Sequence, residues 1–333
     1  FAVGIAAQGI NEAWKPSSTW FPQYVGAFAQ ARARGLDTSL AHDAARAFAD
    51  QGRPVSGTPQ FNNLFNFIKG VPIGKPAPGA PLGGGRFLDK TDLYAVEGQY
   101  NLSHLTNGFA DILVGGNFRR FVLNSQGTLF ADSTGPIGIN EGGAYVQIAK
   151  ELFNEKVRLT VSGRYDKNQN FAGRFTPRAT ALIRLAPNNN LRVSYQTAYR
   201  FPSTQMQWIN LFVGNDYLLI GGVKDFRSFY SLNSSPVYAI QNDVVTNQVV
   251  TVNDLKPESV SSIELGYKTN WEKGYFYSAI YHRISNGTIT RISGIVPGGN
   301  LIYATFQNIG KSNATGVELF FSQKPALIIT KRR

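Results

Sequence analysis

Residues 156–165 read Lys-Val-Arg-Leu-Thr-Val-Ser-Gly-Arg-Tyr. Val157, Leu159, Val161, Gly163 and Tyr165 share one parity; Lys156, Arg158, Thr160, Ser162 and Arg164 share the other. Side chains alternate across a strand, so this stretch has one apolar and one polar face. Residues 191–200 repeat the pattern, with Leu191, Val193, Tyr195, Thr197 and Tyr199 against Arg192, Ser194, Gln196, Ala198 and Arg200. Residues 262–271 do so again, with Ile263, Leu265, Tyr267, Thr269 and Trp271 on the apolar side. Two architectures use such strands: a soluble sandwich with the apolar face inward, or a membrane barrel with it outward.

Connection lengths separate the two. Strands are expected near 1–11, 91–102, 109–121, 143–153, 156–166, 177–186, 190–200, 260–271, 275–285 and 302–322. Short turns at 103–108, 154–155, 187–189 and 272–274 alternate with long excursions over 12–90, 122–142, 167–176, 201–259 and 286–300. Every second connection of an up-and-down barrel lies on the same side, short toward the periplasm and long outside. A soluble sandwich has no reason to sort its loops, and loops beyond about 15 residues are uncommon in compact domains. The sequence therefore predicts an all-β fold, an antiparallel up-and-down transmembrane β-barrel with long extracellular loops and a short loop helix. That helix is placed over 39–51, where Leu40, Ala44, Ala47 and Phe48 have helical spacing. Trp271, Tyr275 and Phe153 at short turns, and Tyr199 and Phe201 at the opposite strand end, suit interfacial girdles, although aromatics favour strands in any case.

Composition narrows the class further. Charged residues make up 16% of the 333, against roughly 25% in ordinary soluble domains. A chain that is 43% apolar collapses rather than staying solvated. The absence of cysteine excludes a disulfide scaffold, a zinc finger, a CxxC redox site and a thiol nucleophile. The uncharged stretch 292–310 is broken by Pro297, Gly298, Gly299 and Asn300, so it is no spanning helix, which needs about 20 mainly apolar residues. Residues 1–10 lack the basic opening of a signal peptide. His42, His104 and His282 stand far apart without carboxylates at metal-ligand or triad spacing. Gly83-Gly84-Gly85 lacks the ending of a phosphate loop and reads as a linker. No catalytic residue, metal or cofactor is expected.

Several runs resemble TonB-dependent outer-membrane receptors. They are Arg164-Tyr165-Asp166-Lys167-Asn168-Gln169-Asn170-Phe171 with Phe175-Thr176-Pro177-Arg178-Ala179, the strand end Tyr199-Arg200-Phe201-Pro202, Leu255-Lys256-Pro257-Glu258 before Ile263-Glu264-Leu265-Gly266-Tyr267-Lys268, and Asn308-Ile309-Gly310 with Gly316-Val317-Glu318-Leu319. The segment from Ala44-Ala45-Arg46 to Thr58-Pro59-Gln60-Phe61 is similar to a loop of the carboxypeptidase-regulatory-like branch. The resemblance covers most of the chain and implies a barrel of roughly 22 strands around a plug. About ten of those strands are visible, so residues 1–333 are expected to be a partial barrel domain without plug or final strands. It further implies a Gram-negative outer-membrane location in the lipid bilayer, and import of a scarce nutrient (iron chelate, glycan, peptide or vitamin). Coupling would run to the TonB complex through the plug, and a surface lipoprotein is a partner to look for.

Two groups of residues are candidates for contact. The 201–259 loop carries Trp208, Phe212, Tyr217, Phe226, Phe229, Tyr230 and Tyr238 among Asn210, Asn215 and Asp216. These suit stacking on a ligand with polar orientation, or else a loop that buries its own aromatics. Basic residues are the second group, 33 against 21 acidic for a net +12. A charge of that size raises a nucleic-acid reading, yet ten Lys or Arg and three Asp or Glu fall within 143–200, mostly opposite the apolar parity. Arg158, Arg164, Arg178, Arg184, Arg192 and Arg200 are thus expected as a lumen-facing basic wall, since a cation facing lipid at midplane costs about 2–4 kcal/mol. That wall either steers an anionic ligand or pairs with carboxylates of a plug, and nucleic acid is not expected as a partner. Two other functions stay open at this point: a passive porin, and a surface adhesion or structural β-protein.

Overall fold

The computed structural model describes residues 9–73, 83–213, 217–232, 236–241, 244–295 and 301–323. One thirteen-stranded sheet dominates it. Its nine long strands are β1 (Asp92–Asn101), β2 (Asp111–Leu123), β3 (Ile137–Leu152), β4 (Val157–Asn168), β5 (Arg174–Ala186), β6 (Asn189–Arg200), β11 (Glu258–Trp271), β12 (Gly274–Ile295) and β13 (Ile302–Gln323). Each pairs antiparallel with its neighbours in that order. The four short strands β7 (Asn210–Val213), β8 (Tyr217–Ile220), β9 (Val237–Gln241) and β10 (Val244–Val250) belong to the excursion between β6 and β11. They rejoin the sheet late: β8 runs parallel to the start of β13, and β9 pairs with the end of β12.

The expected up-and-down meander is present with five corrections, the simplest being that β3 starts at Ile137 rather than 143, which shortens the excursion expected over 122–142. A first strand over 1–11 does not exist where it is described, because residues 9–14 are helical; residues 1–8 lie outside the described set. Three helices, not one, fill the first excursion: α1 (Ser17–Ala33), α2 (Thr38–Ala49) and α3 (Pro59–Gly70). Asp37 caps α2 by accepting from the Leu40 amide at 2.9 Å, and Thr58 caps α3 ahead of Pro59. The connection expected over 167–176 is short, since β4 runs to Asn168 and β5 starts at Arg174. Finally, β12 does not stop at 285. Gly287, at φ +70, makes a bulge that shifts register between Asn286 and Ile289, and the strand continues to Ile295.

Register decides which solvent each face meets. Directly opposed residues of an antiparallel pair share a face, so the pairings carry one face across the sheet. Val96, Val146, Val161, Tyr195, Ile263, Leu265, Ile280 and Val317 all fall on the same one. Ile263 is 55% exposed and Val317 66%, and no second layer covers them among the described residues. A soluble sandwich would bury this surface; a membrane barrel gives it to lipid. The wall is one sheet thick, so the packed apolar clusters lie at the loop end instead. One joins Leu123, Leu129, Phe130, Ile139, Ile209 and Leu211, and the other Leu218, Ile220, Val223, Phe226, Leu232 and Val237.

Leu265 sits mid-strand on the lipid face. In the full-length protein, Leu265→Arg should cost about 2–4 kcal/mol of barrel stability, whereas Gln196→Arg, at an exposed position on the other face, should cost little. Urea titration followed by heat-modifiable electrophoretic mobility separates the two, and equal effects would contradict the face assignment.

Candidate functional site

The polar face is continuous from β1 to β13. Arg158 opposes Leu182, which opposes Arg192; Ser162, Arg178 and Gln196 form another row; Tyr145 opposes Arg164, Arg184 opposes Asn190, and Arg200 opposes Glu258. All six wall arginines therefore share one face, opposite the exposed apolar one. Leu182 is the one intruder in these rows, near the short-turn end. Across β1–β6 the strand carboxylates lie on this polar face too, except Asp92 at the start of β1.

Four of the six arginines find carboxylates, Arg164 on its own strand and the other three on other strands of the sheet. Arg158 reaches Asp111 at 2.9 Å and Glu151 at 3.1 Å. Arg164 grips Asp166 through Nε at 2.7 Å and Nη2 at 2.5 Å and also donates to Asn117. Arg192 pairs with Glu264, with the Tyr277 hydroxyl at 3.0 Å, and Arg200 pairs with Glu258 at 2.5 Å. Arg178 and Arg184 have no ion-pair partner among the described residues. Exposed pairs contribute about 0–1 kcal/mol each, so the effect of these contacts is orientation: they fix planar guanidinium groups in a row.

At the loop end this face opens into a cleft of about 510 Å³. Arg119, Arg164, Arg178 and Arg200 line it with Glu141 and Asp166, and Pro202, Ser203, Thr204 and Gln207 close it from the loop side. The closing segment is fixed. Ser203 caps the short helix α4 (Thr204–Trp208) by accepting from the Met206 amide. Buried Gln207 donates to the Pro202 carbonyl at 2.7 Å and accepts from Asn170 at 2.7 Å. Three of these guanidinium groups are matched, Arg119 by Glu141 at 4.0 Å, Arg164 by Asp166 and Arg200 by Glu258, so the cleft's surplus positive charge comes from Arg178, whose planar fork is free for a carboxylate or phosphate. Of the other charged residues here, Asp166 shares Arg164's parity on the same strand and is legible from the sequence, whereas Arg119 and Glu141 reach the cleft only through the register of β2 and β3.

The aromatic loop is organised differently. Phe226 is buried in the second apolar cluster, with Trp208, Phe212 and Tyr230 packed against it. Ring centroids of Phe226 lie 6.3 Å from Trp208 and 5.4 Å from Tyr230, and Tyr230 lies 5.7 Å from Tyr303. The Tyr230 hydroxyl donates to Asn210 at 3.0 Å, and Tyr217 is half-buried with its hydroxyl 3.3 Å from Ser293 Oγ. Of the six expected contact aromatics only Phe229 is exposed, at 78%, with its ring edge-on to Tyr230 at 5.0 Å; Asn215 and Asp216 lie outside the described residues. Helix α5 (Lys224–Phe229) also places Arg227, fully buried, where it donates to the Val252 and Asn253 carbonyls and the Asp254 carboxylate.

The two strongest sequence motifs fasten this loop to the wall. Asn308 takes both backbone groups of Lys256, accepting from its amide at 2.7 Å and donating to its carbonyl at 2.9 Å, and donates to the Gly287 carbonyl at 2.6 Å. Glu258 accepts from the Ile289 amide at 2.7 Å while pairing with Arg200. Between them the two side chains satisfy backbone groups left open by the bulge. Gly310 is required nearby, since a Cβ there would stand 2.7 Å from Thr288 Cβ.

Two outcomes follow for the full-length protein. Asn308→Ala removes three hydrogen bonds and should expose 251–257 to protease while the barrel still assembles, at a cost of about 1–3 kcal/mol for the backbone groups left open. Burial pushes the Tyr230 hydroxyl up from its ordinary value of 10.0, so the fold favours its protonated form. That contribution is whole below pH of about 10 and is lost as pH rises beyond it. The near-ultraviolet dichroism of the loop should therefore hold to that pH and then fall, and Tyr230→Phe should extend it into alkali.

A search of the curated proteins finds no match. Among solved structures, the siderophore receptor PirA from Pseudomonas aeruginosa aligns over 69% of this chain and 37% of its own, with 17% identity and a TM-score of 0.50. PirA from Acinetobacter baumannii aligns over 76% and 38%, with 13% identity and a TM-score of 0.50. A variant of the ferric enterobactin receptor PfeA from Pseudomonas aeruginosa aligns over 69% and 33%, at 16% identity and 0.50. The chain thus spans little more than a third of the proteins it matches, and at these identities the likeness is one of fold. The family model described as TonB dependent receptor-like, beta-barrel matches residues 6–326, nearly the whole chain. With its meander, its lipid-exposed apolar face and its charged inner rows, the chain belongs to the TonB-dependent receptor β-barrel family.

Proposed function

We propose that this chain forms part of the wall of a Gram-negative outer-membrane receptor that imports a scarce nutrient with energy delivered through TonB. The observation that carries this is the segregation of the sheet. All six wall arginines and nearly all β1–β6 carboxylates lie on one face, and exposed Val, Ile, Leu and Tyr on the other. Such a wall separates a polar lumen from lipid. Arg178 in the loop-side cleft is the group we assign to ligand, because its fork is unpaired and close to the mouth. Arg184, unpaired toward the short-turn end, is assigned to a carboxylate of a plug. A cationic mouth favours an anionic ligand; with siderophore receptors among the structural neighbours, an anionic iron chelate is the class we favour over glycan, peptide or vitamin. The self-packed aromatic loop then serves as a rigid rim, with Phe229 its one exposed ring.

Uptake of ferric chelates by cells carrying the full-length receptor tests this. Arg178→Ala should lower uptake about tenfold, the effect of one charged hydrogen bond, with receptor abundance unchanged. Loss of TonB should abolish it. Uptake that persists without TonB would make the protein a passive pore, and uptake indifferent to Arg178→Ala would remove the cleft from the ligand path.

A further inference from the structure

Not every strand cation is on the polar face. Arg120 opposes Tyr94 and Asn140, and Lys167 opposes Gly142, which opposes Phe118. That register puts both cations on the apolar, lipid-facing side, at the loop ends of β2 and β4. Arg120 is exposed, and its side chain makes no hydrogen bond or ion pair among the described residues. Lys167 gives one of its three donors to the Phe171 carbonyl at 2.5 Å and is otherwise exposed. Between them β3 shows Gly138, Asn140 and Gly142 on this face; the Arg120 guanidinium lies beside Gly138, and the one side chain of the three, Asn140, is held down on the strand by Gln169 at 3.2 Å. Two strand spacings and one two-residue offset set their Cα atoms about 12 Å apart, so two long side chains can converge on one group.

Depth along the wall identifies that group. At the opposite end of β3, Lys150 shares the lipid face and lies 3.1 Å from the centre of the Phe109 ring. Between the Gly142 row and Lys150 this face of β3 carries only Ala144, Val146 and Ile148. Eight residues at about 3.4 Å each, tilted about 40°, cover about 21 Å, close to the height of a barrel's apolar band. Arg120 and Lys167 therefore stand at the loop-side interface, where headgroups lie; the one carboxylate of β1–β6 on their face, Asp92 opposite Val122, makes no ion pair with either among the described residues.

We infer that Arg120 and Lys167 form a binding site for the phosphate of an anionic lipid in the loop-side leaflet, with its acyl chain lying along the Gly142–Ala144 trough between Phe118 and Tyr165. The planar fork of Arg120 takes two phosphate oxygens and the Lys167 ammonium a third. The site rests on the apolar face meeting lipid and is independent of what the pore carries.

The test uses the full-length receptor in nanodiscs of phosphatidylcholine doped with diphosphorylated lipid A, with co-purifying lipid counted by native mass spectrometry. Wild type should retain lipid A in preference to its dephosphorylated form. Arg120→Gln, which keeps the bulk, should lose about fivefold in retention, and a double variant with Lys167→Gln about 25-fold. Lys150→Gln, at the other rim, should retain it. Equal retention by wild type and Arg120→Gln, or no preference for the phosphorylated lipid, would overturn the site. Inorganic phosphate bound in detergent as tightly as lipid A would overturn its assignment to a lipid.

Discussion

A sheet one layer thick between two solvents has no interior of its own, and much of this structure follows from that. Every β1–β6 residue must suit either hydrocarbon or a wet, charged space, and the period of two enforces the choice. It explains why Ile263 and Val317 are well exposed without being defects. It also explains why the buried leucines and isoleucines, Leu123, Ile139, Leu218 and Ile220, gather where loops fold back on the strand ends. Hydrophobic burial in the usual sense happens there and among the helices of the first excursion, around Ile10 and Ile68; in the wall it is completed by lipid.

Once strands rise out of the membrane, the constraint changes from solvent to backbone satisfaction. The bulge at Gly287 leaves amides and carbonyls of β12 without partners on β13, and an unpaired buried peptide group costs about 1–3 kcal/mol. Asn308 and Glu258 supply those partners, and the same side chains hold Lys256 and Arg200. Arg227 does a similar service for 252–254 from inside the loop. The 201–257 excursion is thus tied to the wall at several points by buried or half-buried polar groups, which is why its aromatics pack on each other rather than hanging free.

This division sets what was legible in the sequence. Within the membrane the strands read closely, as with 190–200 against Asn189–Arg200, because alternation is strong where two solvents compete; the misses are at loop-side ends, where β3 starts at Ile137 rather than 143 and β12 runs on to Ile295. The sharing of one face by six arginines was readable for the same reason. Their partners were not: Arg158 and Asp111 are 47 apart in sequence, and register alone brings them together. Asn286-Gly287 looks like a hairpin turn, but with Gly287 at φ +70 it bulges and the strand continues. Helix α1 escaped notice because Pro22 and Gly26 interrupt it. Composition could not say whether an aromatic loop faces ligand or itself, since both uses call for the same residues.

The net charge of +12 has a local meaning that its size conceals. Arg158, Arg164, Arg192 and Arg200 are each matched within the wall, and beyond a screening length of about 8 Å a matched pair exerts little field. The cations that act at a distance are those without partners, and they sit at different places for different solvents. Arg178 faces the cleft at the polar mouth, while Arg120 faces the headgroup zone on the other side of the same sheet. An unpaired guanidinium in either exposed place is satisfied by water or by an anion, and on the readings proposed above the anion is a ligand at Arg178 and a lipid phosphate at Arg120. The sheet stands between the two, so on those proposals the two anions, screened as they are, need not compete.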